Sequence, residues 1–403
     1  MSESSSRRYK GGERLRRRGA APASIHLLMN RHVFTAVRLL LVAIGVTIIV
    51  LAVNWRTVMV IPAGEPGPGG HTAEVERTLL VLSVEPAGPG AMLVQTDAGL
   101  EGEVAANWIR PGIFDIFEHA NWWWVLLGLG LVGCVYPLQA TRWWLLMRCR
   151  GLDAPWLRTL RLVFIGAFSN FFLPGTEGGD VVKAWGATRG SDRRVEAVMS
   201  VVFDRITGLA GLVILAAGVG IFAAESNTAR DIGWWTAGAM LVVGVGAIVA
   251  FVVFTRGWLQ LPAVTKTFGR GLPARLFEAG RAYASHPGPV LAATSVSVCV
   301  QVLLASAAGA CAWALGATHD ITVILAVMPI LFLAAAVPLT WQGAGVMEVL
   351  GIALLAVPGV ASVNQVVGLL VLYRCLELTW GLVGASLMTG GGVRLHPEHL
   401  DAS

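Results

Sequence analysis

Residues 168–183 read Phe168-Ser-Asn-Phe-Phe-Leu-Pro-Gly-Thr-Glu-Gly-Gly-Asp-Val-Val-Lys183, an apolar run that is broken by a Pro-Gly pair and continues into charged residues. Those charged residues are Glu177, Asp180 and Lys183. Ionisable groups inside a membrane segment are energetically costly, so they usually line a cavity or a path. Pro174-Gly175 and the paired glycines after it indicate a broken helix, which is tolerated where protein or water satisfies the freed backbone groups.

A second stretch repeats this pattern. Pro338-Leu-Thr-Trp-Gln-Gly-Ala-Gly-Val-Met-Glu348 also interrupts an apolar run with a proline and glycines before a carboxylate. Two interrupted hydrophobic segments in corresponding halves of a chain point to a transporter-type site near the bilayer midplane. We therefore predict two re-entrant broken-helix hairpins, at 160–190 and 321–357, that meet from opposite faces of the membrane.

The composition of the chain is that of a membrane protein. Of its 403 residues, 55% are hydrophobic and 14% are charged, whereas a soluble domain has about a quarter charged residues. The apolar runs predict an all-α polytopic membrane protein with about six full spans besides the two hairpins. An eight-span arrangement, in which both hairpins cross completely, is the alternative. The predicted full spans are 33–54, 122–144, 195–222, a span that ends at 254, 290–315 and 363–388.

The distribution of positive charge predicts how the chain lies in a cytoplasmic membrane, because Lys and Arg accumulate on the cytoplasmic side. Residues 1–32 form a basic tail and residues 391–403 form the C-terminal tail, and both are predicted to be cytoplasmic. Residues 120–390 form the main membrane domain. Because the net charge of +5 is concentrated in the N-terminal tail, we expect no nucleic-acid partner.

Residues 55–119 differ from the rest of the chain, since acidic residues outnumber basic ones there. Strand-like runs at 78–84, 91–96 and 100–105, with turn-forming residues at 85–90, predict a small antiparallel β insertion. Few basic residues follow the first span, which places this insertion outside the cytoplasm. It is a candidate surface for an extracytoplasmic protein partner.

The charged residues of the first break allow two interpretations. Asp180 follows two glycines, so its carboxylate either stabilises the start of a helix or belongs to an anion site. In that site the exposed glycine amides and Lys183 cradle a lipid phosphate. Asp180 and Glu177 then hold the amine of the lipid or carry protons.

Asp204 and Arg205 lie inside a predicted span. Adjacent residues point in different directions on a helix, so each of the two needs another partner. Arg205 either forms a structural ion pair with Asp180 or binds a phosphate of the substrate.

The second half of the chain offers three more ionisable groups. Glu348 is the candidate for protonation or for contact with a cation. Arg374 and Glu377 lie three residues apart on the last predicted helix, so they either pair with each other or line the path.

These motifs resemble those of the lysylphosphatidylglycerol synthase transmembrane family. Asn170-Phe-Phe-Leu-Pro-Gly-Thr-Glu-Gly-Gly-Asp180, followed by Lys183, resembles its signature Asn-x-x-Leu-Pro-Gly-x-x-Gly-Gly-Asp-x-x-Arg/Lys. Phe203-Asp-Arg205 resembles its Asp-Arg element, and the segment from Pro338 to Glu348 is similar to its late Pro-x-Ser-Pro-Gly-Gly-x-Gly-x-x-Glu element. The late element departs from the family pattern, with Thr-Trp-Gln where Ser-Pro-Gly is usual.

The resemblance covers about 30–390 without the β insertion, and it implies flippase-like movement of lipids between leaflets by the domain at 120–390. It does not extend to the aminoacyl-transfer domain of some members, so aminoacyl-lipid synthesis is not expected. The positions that the resemblance carries over are Asp180, Lys183, Asp204, Arg205 and Glu348. All candidate substrate-binding or translocation residues are Asn170, Pro174, Gly175, Glu177, Gly178, Gly179, Asp180, Lys183, Asp204, Arg205, Glu348, Arg374 and Glu377.

The leading hypothesis is a flippase or transporter that moves a polar-headed lipid or lipid-linked molecule between leaflets. The sequence has no ATP-binding P-loop and no catalytic motif, so neither ATP-driven pumping by this chain nor an enzymatic function is favoured. We expect no cofactor and no metal. Two alternatives remain: an accessory or scaffold protein for cell-envelope lipid or glycan assembly, and a membrane-embedded transferase that uses Glu177 and Asp180 on a lipid-linked substrate.

Overall fold

The computed structural model describes the main part of the predicted membrane domain and of the β insertion. The predicted tails 1–32 and 391–403, most of the first span and most of the span ending at 254 lie outside the described residues. So do Pro174, Gly175, Glu177 and Pro338 of the two breaks. The described residues are 40, 43, 47, 49–68, 76–172, 178–189, 193–222, 230–239, 241–242, 278, 281–283, 285–317, 320–336, 343–356 and 360–389.

The acidic insertion folds into an antiparallel sheet. Its strands are β1 (Val58–Ile61), β2 (Arg77–Gly88), β3 (Ala91–Thr96), β4 (Glu101–Ala105) and β5 (Ile109–Arg110), in the order β4-β3-β2-β1-β5. Buried apolar residues from several strands, among them Met59, Val81 and Val94, form a small separate core. The strands predicted at 78–84, 91–96 and 100–105 are therefore confirmed.

The turn predicted at 85–90 is shorter in the structure. Strand β2 continues to Gly88, and Pro86 pairs with Met92 of β3 across an irregular register. Strand β1 pairs only with the first part of β2, from Arg77 to Leu80. Pro86 therefore lies where β2 has a neighbour on one side, and a missing N–H group is tolerated at such an edge. The reversal itself uses Gly90, whose φ is 78°.

The described helices fall into two length classes. Those with described bounds are, in chain order, α1 (Ile113–Glu118), α2 (Trp122–Cys149), α3 (Trp156–Phe172), α4 (Gly178–Thr188), α5 (Arg194–Phe222), α6 (Pro287–Ala314), α7 (Ile321–Ala336), α8 (Val346–Leu355) and α9 (Val363–Thr389), and residues 230–239 are helical as well. Within the described residues, α2, α5, α6 and α9 are long and apolar enough to cross a membrane. The mostly helical, apolar architecture is that of a membrane protein.

The predicted span 122–144 is longer in the structure. Helix α2 continues to Cys149, and Arg142 and Trp143 are buried in the bundle instead of ending a span at the membrane surface. Trp143 donates its indole N–H to Ser200 Oγ at 3.0 Å. A buried arginine inside an apolar helix requires a charged partner, and another helix supplies this partner.

Each predicted break lies between two short helices. Helices α3 and α4 flank 173–177, and α7 and α8 flank 337–342. These four helices have 10 to 17 residues each, so at about 1.5 Å per residue none is long enough for about 30 Å of hydrocarbon. The short helices predicted around the two breaks are therefore present.

Small residues let the helices of the bundle approach closely. A Cβ atom on Gly133 of α2 would lie 2.3 Å from the ring of Trp380 in α9. A Cβ atom on Gly384 of α9 would lie 2.0 Å from Phe164 O in α3. Helices α2 and α6 are antiparallel neighbours, and Asn121 N donates to Ala314 O at 2.8 Å where α2 begins and α6 ends. Close contacts of this kind drive helix association in membranes.

Asn364 connects the helical bundle to the segments on both sides of the sheet. Its side chain accepts from Asn54 N at 3.0 Å and donates to Asn54 O at 2.9 Å and to Pro111 O at 2.8 Å. Asn364 is 3% exposed and lies at the start of α9. The sheet is thus joined to the helix that carries Arg374 and Glu377.

Candidate functional site

Five charged residues from three helices form one continuous ion network. Arg142 Nε lies 2.7 Å from Asp204 Oδ1, and Lys183 Nζ lies 3.7 Å from Asp204 Oδ2. Lys183 Nζ also lies 3.8 Å from Asp180 Oδ1, and Asp180 Oδ2 accepts from Arg205 Nε. The network therefore alternates in charge, in the order Arg142, Asp204, Lys183, Asp180, Arg205, and connects α2, α4 and α5.

Asp204 is the most deeply buried member of this network. Its side chain is 3% exposed, near the middle of α5. Arg142 also donates to Ser297 Oγ of α6 at 3.2 Å, and Gly208 lies beside its guanidinium where a larger side chain would crowd it. Because an isolated charge in an apolar interior is very costly, the two cations near Asp204 are what makes its burial possible.

Helices α3 and α4, on the two sides of the first break, pack closely against each other through their backbones. A Cβ atom on Gly179 would lie 2.3 Å from Gly166 O, so only glycine fits there. Gly179 N donates to Asn170 Oδ1 at 2.7 Å, so this amide of the predicted anion site is occupied by a protein acceptor. Gly178 is buried beside it at the start of α4, and Asp180 lies in the first turn, where the helix dipole favours a carboxylate.

The second break also places a carboxylate at a helix start. Glu348 is 5% exposed in the first turn of α8, and its Oε2 accepts from Gly345 N at 2.7 Å in a capping arrangement. Gly345 has a φ of 84°, which favours glycine. Arg374 Nη2 of α9 lies 3.0 Å from Glu348 Oε1. Arg374 thus pairs across the bundle with Glu348.

The five-residue ion network and the pair of Arg374 with Glu348 border one cavity of about 660 Å³ inside the bundle. The cavity brings together most of the described candidate residues, from both halves of the chain. Glu348 does not line it but contacts Arg374, which does. The candidate residues that line the cavity are Asn170, Asp180, Lys183, Asp204, Arg205, Arg374 and Glu377.

Sequence reasoning misses several polar residues of this cavity. The sequence pattern assigns Arg142 to the cytoplasmic end of a span, although it lines the cavity and pairs with Asp204. Gln139 and Gln301 also line it. A signal is available for Arg142, since a cation inside a long apolar run needs an acidic partner in a neighbouring span. The two glutamines carry no comparable signal in a single sequence.

The cavity can hold a polar group in an apolar bundle. It offers cationic donors and carboxylate acceptors together with apolar side chains such as Val132, Leu212 and Leu304. Such a lining suits a molecule with a charged head and a hydrophobic body. In the described part of the chain, no group of three or more His, Cys, Asp or Glu side chains could hold a metal ion.

The fold and the cavity define a helical membrane protein with a charged internal cavity. The family model described as the lysylphosphatidylglycerol synthase TM region matches residues 112–384. The chain therefore belongs to this family, and its function is related to membrane lipids. The match begins after the β-sheet, and it contains both breaks and every described residue that lines the cavity. No curated protein matches the chain.

Proposed function

We propose that this chain moves a polar-headed lipid or lipid-linked molecule between the leaflets of the cytoplasmic membrane, without hydrolysing ATP itself. The observation that carries the proposal is the charged cavity, which contains groups from α2, α4, α5 and α9 in the interior of an apolar bundle. A lipid headgroup that crosses a bilayer must exchange its water for other polar contacts, because hydrocarbon offers none. The cavity supplies such contacts.

The location of the charges supports this function. Arg142, Asp204 and Arg374 lie within helices of span length, well away from the helix ends. Intramembrane ionisable groups of this kind typically mark substrate or ion pathways. In the proposed arrangement the headgroup moves past these residues while its acyl chains remain in the lipid.

The two pairs of short helices are proposed to be re-entrant hairpins. Helices α3 and α4 enter from the cytoplasmic face, and α7 and α8 enter from the outer face. Asp180 of the first hairpin lines the cavity, and Glu348 of the second reaches it through Arg374. Opposed broken helices of this type provide a site from which either side of the membrane can be reached. Both termini are proposed to be cytoplasmic and the β-sheet to be extracytoplasmic.

Translocation can be measured with the purified full-length chain in liposomes that contain fluorescent lipids with different headgroups. The outer-leaflet dye is bleached with a reductant that does not cross the membrane, and the loss of protected dye reports movement between leaflets. We expect faster loss with the protein than in empty liposomes. The Asp180→Asn variant should lower the rate, because it weakens the contacts with Lys183 and Arg205.

The matched control is Asp153→Asn, since Asp153 is exposed and lies outside the cavity lining. It makes the same change of charge and should leave the rate unaltered. Background rates with every headgroup tested, together with no effect of Asp180→Asn, would exclude a flippase function.

A scaffold function is the second candidate, and one observation favours it. The sheet exposes the apolar residues Leu82, Val84 and Leu93, at 61%, 38% and 44% of their surfaces. Exposed apolar groups on a small sheet are suited to a protein partner.

Because Val58 and Arg110 are cross-strand neighbours, residues 59–109 can be replaced by a turn of about four residues.

This replacement keeps Asn54 and Pro111, which bind Asn364. If translocation in liposomes persists without the sheet, the cavity is sufficient for transport. If the shortened chain is folded and translocates at the full rate but fails to support envelope assembly in cells, the sheet has a separate scaffold function.

A further inference from the structure

The α8–α9 side of the cavity has more carboxylates than cations. Its charged residues are Glu348, Arg374 and Glu377, which are two carboxylates and one guanidinium. The neighbouring segments 337–342 and 357–359 contain no ionisable side chain in the sequence. Arg374 directs Nη2 towards Glu348, at 3.0 Å from its Oε1. Glu377 therefore brings a carboxylate to the cavity whose charge the rest of this side does not balance.

Gln301 adds a second acceptor to the same cavity. This residue of α6 is 8% exposed, and its Nε2 lies 3.5 Å from Gly208 O. With Nε2 directed at this carbonyl oxygen, Oε1 has no hydrogen-bond partner among the described residues. A buried carbonyl oxygen without a donor is costly, so it is a site at which a ligand N–H group would be favoured.

Arg374 provides the complementary donor. Its Nε has no hydrogen-bond partner within the described part of the chain, although the guanidinium lines the cavity. Arg374 and Glu377 lie three residues apart on α9, which places a cation and a carboxylate on neighbouring positions of one helix face. Cβ atoms at such positions are about 5–6 Å apart, a span that a phosphate and an ammonium joined by two carbon atoms can bridge.

We propose that Glu377 and Gln301 form a subsite for a primary ammonium group, and that Arg374 binds the phosphoryl oxygen of the same headgroup. The proposal rests on the proposed function, which it deepens by naming the headgroup class: phosphoethanolamine-type in preference to phosphocholine or phosphoglycerol. A primary ammonium has three N–H donors for the two acceptors. A trimethylammonium carries the same charge but has no N–H group, and a glycerol headgroup has no cation for Glu377.

Binding to the purified full-length protein in detergent tests this preference without requiring transport. The probes are short-chain lipids with phosphoethanolamine, phosphocholine or phosphoglycerol headgroups, and free O-phosphoethanolamine distinguishes a lipid ligand from a soluble one. We expect the phosphoethanolamine lipid to bind about tenfold more tightly than either of the other lipids, which is the typical effect of a charge-assisted hydrogen bond. Free O-phosphoethanolamine should compete weakly, since it lacks the acyl chains.

The variants Glu377→Gln and Gln301→Leu should each reduce the preference to about threefold or less. The matched control Glu118→Gln should retain it, because Glu118 is exposed on α1 and is not part of the cavity lining. Equal binding of the phosphocholine lipid by the unmodified protein overturns the proposal, even if a variant fails to fold. A preference that survives in both variants overturns it as well.

The proposal and the flippase function fail in different experiments. Selective binding in detergent without translocation in liposomes contradicts the flippase function but leaves the ammonium subsite in place. Translocation that is equally fast for all three headgroups, with equal binding, contradicts the subsite and leaves the flippase function in place.

Discussion

Arg142 Nε and Asp204 Oδ1 lie 2.7 Å apart, and both side chains are almost completely buried between α2 and α5. The pair joins two helices of span length, and Lys183 Nζ lies 3.7 Å from the other oxygen of Asp204. Removing one member of a buried pair typically costs about 3–5 kcal/mol, because the remaining charge loses its compensation. The pair therefore stabilises the bundle only while it is complete.

Arg142→Ala should lower the thermal stability of the protein in detergent strongly, on the scale of about 3–5 kcal/mol. The double variant Arg142→Met with Asp204→Leu should be more stable than Arg142→Ala, because it removes the buried carboxylate that would otherwise have only the more distant Lys183 as a cation. Arg148→Ala is the control, since Arg148 is exposed and lies over the ring of Trp144. A single variant as stable as the control would contradict the structural importance of this pair.

Glycine packing at the first break gives the second prediction. A Cβ atom on Gly179 would lie 2.3 Å from Gly166 O and 2.7 Å from Asn170 Oδ1. Both neighbours belong to α3, and one is backbone, so α3 and α4 must separate to admit a methyl group. Gly179→Ala should therefore destabilise the protein by about 1–3 kcal/mol and should slow translocation in liposomes.

Gly218 in α5 is the matched control for this substitution. It is also a helical glycine, but among the described residues, apart from its chain neighbours and the adjacent backbone of α5, no atom lies within 4 Å of the position that a Cβ atom would take there. Gly218→Ala should leave stability unchanged or raise it by up to about 1 kcal/mol, because alanine is the better helix former. Equal unfolding temperatures for the two variants would show that α3 and α4 tolerate a wider separation.

The sequence alone could predict the parts of the fold that depend on local pattern. The two breaks follow from Pro and Gly inside apolar runs, and the strands follow from alternating apolar residues between turn-forming segments. Family membership followed from the motif that ends at Asp180. The pairing of Asp180 with Arg205 was one of two alternatives for Arg205, and the structure contains that contact. Local spacing alone could not decide between them.

Other features of the site depend on contacts between distant segments. Arg142 lies 62 residues from Asp204 in the chain, and nothing near it in sequence distinguishes it from the arginines that mark the cytoplasmic end of a span. Arg374 lies three residues from Glu377 and yet pairs with Glu348. Both contacts arise only when long helices have packed, so single-sequence patterns could not specify them.

Asn364 gives the third prediction, which concerns the connection between the sheet and the bundle. Its buried side chain makes hydrogen bonds with the backbone of Asn54 and Pro111. Asn364→Ala removes the partner of Asn54 N and Pro111 O and leaves Asn54 O with Ile113 N alone, at a cost of about 1–3 kcal/mol. Asn107→Ala is the control, because Asn107 is exposed in the short turn after β4. The measurement is hydrogen exchange of residues 54–57 and 111–115.

Faster exchange in these two segments is expected for Asn364→Ala and not for Asn107→Ala. Unchanged protection in both variants would show that other contacts are sufficient to hold the sheet. One such contact is Ile113 N donating to Asn54 O at 3.0 Å.

Glu348 gives the last prediction, because its two oxygens have different partners. Oε2 accepts from Gly345 N at 2.7 Å, whereas Oε1 lies 3.0 Å from Arg374 Nη2. Glu348→Gln keeps an acceptor for the Gly345 amide but removes the negative charge, so stability should fall by only about 1–2 kcal/mol.

Glu348→Leu removes both contacts and should cost about 3–5 kcal/mol. Adding Arg374→Leu to Glu348→Leu should recover the part caused by a guanidinium that has lost its Glu348 partner and not the part caused by the lost cap. Equal stability of Glu348→Gln and Glu348→Leu in thermal unfolding would mean that the capping bond contributes nothing, and the start of α8 would then be held by the φ of Gly345 and by packing alone.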